Sequence, residues 1–116
     1  MNMCKVTALL VLANLVCDAA IASEQSDRAL GCELSLHKSI EAKVIRDISV
    51  EDEGIKVLVD KHTWSAMDFA DQTALVKTVV CMITAGDVSK TARVNVVEPT
   101  DMTVLGKFDG LRLAIP

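Results

Sequence analysis

From Leu30 to Val50 the apolar residues fall mainly on even positions. Leu30, Cys32, Leu34 and Leu36 alternate with Gly31, Glu33, Ser35 and His37. Ile40, Ala42, Val44, Ile48 and Val50 alternate with Ser39, Glu41, Lys43, Asp47 and Ser49, and Ile45 and Arg46 each break the rule once. A period of two marks a strand with one buried face, which predicts a strand over about 40–50. Residues 30–37 fit either a strand or a helix through Leu30 and Leu34. Glu51-Asp52-Glu53-Gly54 then reads as a turn, with Gly54 taking the positive φ of a tight hairpin. Ile55, Val57 and Val59 resume the alternation, so an antiparallel partner strand is expected over 54–60.

The period then changes. Thr63 is a candidate cap for a short turn holding Trp64, and Asp68 for a longer helix from Phe69 to Ala85. Gly86 is placed to end that helix in the left-handed conformation. At about 100° per residue, Phe69, Leu75, Val76, Val79, Val80, Met82 and Ile83 form one apolar arc. Ala70, Ala74, Cys81 and Ala85 form a strip of small side chains opposite it, where a second segment can approach. Beyond the helix, residues 91–97, 102–108 and 111–115 read as strands, separated by turns at Pro99-Thr100-Asp101 and Asp109-Gly110. The expected class is α+β: an antiparallel sheet covered on one face by a single main helix, about 68–85. The run from Ile55 to Val97 is loosely similar to small exported domains that bind envelope components, and no motif in it carries residues over.

The N-terminus follows a different pattern. Lys5 precedes an apolar run from Val6 to Cys17, about 11 residues long and too short for a transmembrane helix, which needs about 20. Ala20-Ile21-Ala22 supplies small residues at a cleavage site, so residues 1–22 are expected to be a removed export signal. Lipid attachment at Cys17 is disfavoured by bulky Val16 just before it. What remains, 23–116, is one small domain without a membrane anchor, bound for the periplasm or the extracellular space. A buried N-terminal helix is the competing reading of the apolar run.

Cleavage leaves only Cys32 and Cys81. In an oxidising compartment they are expected to form a disulfide that ties the N-terminal segment to the helix; two separate buried thiols are the alternative. The net charge is −4, and it stays so after removal of Lys5 and Asp18. An acidic chain with 3% aromatics repels phosphates and offers few stacking surfaces, which argues against nucleic acid.

Candidate chemistry is sparse. His37, His62, Cys32 and Cys81 have no metal-ligand spacing. Asp60, His62, Ser65 and Asp68 cluster in sequence near the strand-to-helix junction, but Asp68 already has a capping role. Glu51, Asp52 and Glu53 lack the alternation of a calcium loop. There is no nucleophile elbow and no glycine-rich phosphate cradle, so no cofactor is implied. Trp64 is either a partner contact or a filler of the core margin. The expected function is therefore a non-catalytic exported module that binds another protein. The alternative is a small exported hydrolase or metal-handling protein using His37 or His62 with nearby acids.

Overall fold

The computed structural model describes residues 11–116, with side chains described from Glu24 onward. The first ten residues of the expected export signal, and the side chains around its cleavage site, lie outside that range. The elements run α1 (Val11–Glu41), β1 (Ile45–Glu51), β2 (Gly54–Val59), α2 (Lys61–Ala66), α3 (Phe69–Ile83), β3 (Val94–Val97), β4 (Val104–Phe108) and β5 (Leu113–Ala114). The five strands lie in sequence order in one sheet. The chain is α+β, and the main helix α3 packs on the sheet.

Residues 30–41 are helix, which resolves one expectation and corrects another. Leu36 is 5% exposed and belongs to the core, whereas Leu30 and Leu34 are exposed. Gln25, Ala29, Cys32, Leu36 and Ser39 are the covered positions, spaced four, three, four and three apart, which is a helical stripe. Leu30 and Leu34 form a second stripe on the far side. Within 30–37 the apolar members of both stripes, Cys32 with Leu36 and Leu30 with Leu34, fall on even numbers, and together they imitate a period of two. The strand expected over 40–50 begins only at Ile45, because a Schellman turn closes α1 first. Lys43 takes φ 61°, the Val44 N–H donates to Ser39 O, and the Lys43 N–H donates to Ile40 O.

The β1–β2 hairpin forms where expected, with Ile48 opposite Val57 and Glu51 opposite Gly54. Val50 is exposed, however, and Ile45, which breaks the alternation, is buried, because the register shifts between Ile45 and Asp47. Gly54 has φ 138°, and a Cβ there would sit 2.5 Å from the backbone oxygen of Arg93. Gly54→Val should therefore lower the unfolding free energy by about 2 kcal/mol or more, from strain and from displacement of β3. Urea denaturation checks this, and an unchanged midpoint would place Gly54 outside that conformation.

The sheet is mixed. Three of its pairings are antiparallel, but β2 and β3 run parallel, with Val57 opposite Val96. The cause is the connection. A tight turn reverses a strand, whereas the crossover through α2 and α3 brings β3 back in the direction of β2.

The short helix α2 is capped by Asp60, not by Thr63. The Asp60 carboxylate accepts from the Thr63 N–H at 2.9 Å and the Thr63 hydroxyl at 2.7 Å. Asp68 caps α3 as expected, accepting from the Asp71 N–H at 2.9 Å. Val76, Val79 and Val80 of α3 meet Ile55, Val57, Val94 and Val96 of the sheet. Phe69, placed on the apolar arc by its spacing, is 56% exposed because it lies in the first turn, at the margin of the sheet.

At its other end α3 closes with a second Schellman turn. Ala85 (φ 55°) and Gly86 (φ 77°) are both left-handed, and the Gly86 N–H donates to Cys81 O. This is where α1 docks. A Cβ on Gly86 would lie 2.5 Å from Gln25 O and 2.8 Å from Ala29 N. The Gln25 amide donates to Ala85 O and Arg28 Nε donates to Gly86 O. Two side chains of α1 thus satisfy backbone carbonyls at the end of α3, and the Arg28 charge complements the negative end of that helix dipole. One turn further along, the Sγ atoms of Cys32 and Cys81 are at bonding distance, with Cα atoms 6.0 Å apart. The small strip at Cys81 and Ala85 admits α1 there, while Ala70 and Ala74 are exposed.

Candidate functional site

The residues singled out for chemistry come together only in part. Asp60, His62 and Ser65 line one cleft with Arg46, Lys61 and Glu98, of about 450 Å³. Asp60 is committed to Thr63, and Arg46 lies 3.5 Å from its other oxygen. Among the described residues, neither His62 nor Ser65 hydrogen-bonds to Asp60, and both are exposed. A base-supported nucleophile needs that contact or a close approach to it. Asp68 is engaged in the cap of α3.

His37 lies on α1 and pairs with Glu41 at 2.9 Å, both exposed. Among the described residues no three His, Cys, Asp or Glu side chains converge as metal ligands. Glu51 pairs with Lys56 at 2.9 Å at the hairpin. Trp64, read as a partner contact or a core filler, is 2% exposed and part of the main core. It presents no surface to a partner, because α2 turns its ring inward over Gly106, whose missing side chain leaves room for it.

The loop carboxyls are structural. Thr103 donates its hydroxyl and N–H to Asp101, and these bonds, together with the Glu98 carboxyl beside it, lower its carboxyl from 3.8 to about 2. Asp60, Asp87 and Asp109 are also lowered, by hydrogen bonds from Thr63, from Ser89, and from the backbone N–H groups of Arg112 and Leu111, respectively. Their folded values lie below their unfolded ones. The stability they contribute is therefore complete above the unfolded value and is lost as pH falls through the folded one. The melting temperature should drop between about pH 4 and pH 2, and Asp101→Asn should flatten the lower part of that drop. A melting temperature constant down to pH 2 would contradict these bonds.

A second concavity was not anticipated. It is a groove of about 620 Å³ between the docked part of α1, the C-terminal half of α3, loop 86–91 and the β4–β5 turn. Val80 and Phe108 lie at its base, both buried. Val88 and Leu111 stand on its lips at 80% and 81% exposure, more than any other large apolar side chain described. Arg28, Lys77 and Lys90 line it with a single acid, Asp87. The disulfide borders it through Cys81. Val88 is an apolar residue isolated among turn formers, Asp87-Val88-Ser89, and Leu111 falls at the head of the strand expected over 111–115, which begins only at Leu113. Only folding puts the two loops side by side.

No protein-family model, curated protein or solved structure matches this chain.

Proposed function

We propose that this chain is an exported, non-catalytic binding module that holds a partner protein of the envelope or extracellular space in the groove beside the disulfide. The groove carries this reading. Exposing two large apolar side chains on either side of an apolar base costs solvation free energy that a soluble domain recovers only when something covers them. The disulfide suits an oxidising compartment, and among the described residues no helix is long and apolar enough to cross a membrane. The residues that could have supported catalysis are occupied as helix caps or stand apart in solvent.

Site-specific photo-crosslinking in the native compartment tests the reading. A crosslinker at position 111 should give one discrete adduct with another protein. The same group at position 49, on the sheet face turned away from the helices, should give none. Equal labelling from both positions, or none from 111, would defeat the proposal.

A further inference from the structure

We infer that the groove takes an extended peptide segment whose apolar side chains are flanked by carboxylates. This rests on the reading of the groove as the binding surface and adds the chemistry of its occupant.

The first argument is charge. The chain is acidic overall, at −4, yet the groove is lined by three cations and one anion. That anion is already engaged. Asp87 accepts from the Ser89 N–H at 3.0 Å and the Ser89 hydroxyl at 2.6 Å, and Lys90 stands 3.9 Å away. Among the described residues, Arg28 and Lys77 have no carboxylate within ion-pair distance. Arg28 spends only its Nε on Gly86 O. The rim is thus a local reversal of the protein's charge, and it complements an acidic ligand rather than a basic one.

The second argument is the mixture of apolar and polar groups in the groove. Val88 and Leu111 share its lining with the hydroxyl-bearing Thr84, Ser89 and Thr91 and with Gly110. The Thr91 hydroxyl donates to Gly110 O at 2.8 Å, and the Thr84 hydroxyl donates to Val80 O at 2.9 Å. Each hydroxyl keeps acceptor capacity. An acyl chain lying here would strip water from these groups and return no hydrogen bond. A peptide backbone offers donors and acceptors to them while its side chains reach the apolar lips. The ligand chemistry that fits is therefore apolar residues interleaved with Asp or Glu.

Fluorescence anisotropy on the disulfide-bonded exported protein tests this with three labelled octapeptides, alternating Glu with Leu, Lys with Leu, and Glu with Ser. The Glu–Leu peptide should bind at least tenfold more tightly than either of the others. Lys77→Glu with Lys90→Glu should remove its advantage over the Lys–Leu peptide. Val88→Ser with Leu111→Ser should remove binding. All four side chains project from the surface, and circular dichroism verifies that the variants remain folded. Equal or tighter binding of the Lys–Leu peptide would overturn the charge assignment. Binding of dodecanoate in the groove without binding of any peptide would mark a lipid site and overturn the inference. If no peptide binds while the adduct at position 111 still forms, the inference fails and the binding-surface reading stands. Loss of both sinks the two together.

Discussion

Replacing Cys81 with serine should lower the unfolding free energy by about 4 kcal/mol, and reductant on the unaltered protein should reproduce most of that loss. The two cysteines are 49 residues apart in sequence. Closing a loop of that length removes conformational freedom from the unfolded chain, worth about 4 kcal/mol in the chain-entropy model. For a domain of this size the melting temperature should fall by roughly 15–30 °C. The link lies in the seam where the covered stripe of α1 packs along α3. Apart from it, α1 is held by Leu36 in the core, by the hydrogen bonds from Gln25 and Arg28, and by its close approach to Gly86. Loosening α1 also frees the wall of the groove that carries Arg28, so binding should weaken along with stability. A Cys81→Ser protein that melts with the unaltered one would show that the link contributes nothing.

Trp64→Ala should cost about 3–5 kcal/mol, the range for removing a large aromatic side chain from a core. The ring is nearly inaccessible and lies over Gly106, where a Cβ would come 3.4 Å from its Cζ2 atom. Gly106 has no side chain with which to fill the space the ring would leave. The surroundings are fixed as well. The amide of Gln72, the buried polar residue of α3, donates to the Trp64 backbone oxygen at 2.9 Å. That bond ties α2 to α3 beneath the ring, so the cavity cannot close by moving one helix alone. Since Trp64 is the only tryptophan, unfolding of the variant is followed by far-ultraviolet circular dichroism. In the unaltered protein its fluorescence should be blue-shifted and poorly quenched by acrylamide. A cost below about 1 kcal/mol would place the ring outside a packed core.

The elements legible in the sequence are those governed by local chemistry or by a single clean period. The turn at Gly54, the cap at Asp68 and the valines of α3 are of this kind. The pairing of Cys32 with Cys81 followed from counting the cysteines that lie beyond the expected export signal. The placement of Leu30–Leu36 against the helix followed from that pairing, although its helical form did not. Two stripes of a helix on even numbers and a strand with one buried face give the same letters. Only burial separates them, and burial depends on α3. The Schellman turn at Lys43 was hidden because lysine is an uncommon residue at positive φ. The parallel register of β2 and β3 is set by a crossover, a property of path and not of composition. The groove was the least legible feature, since its lips come from two loops 23 positions apart, at Val88 and Leu111.

One measurement bears most directly on the account of an exported domain whose N-terminal helix is bound to α3. It is the intact mass of the exported protein, alkylated before and after reduction. The predicted result is a chain beginning at Ser23 that takes up no alkylating groups while folded and unreduced, and two after reduction. A chain that retains Met1, carries lipid on Cys17, or reacts at Cys32 and Cys81 without reductant would contradict it.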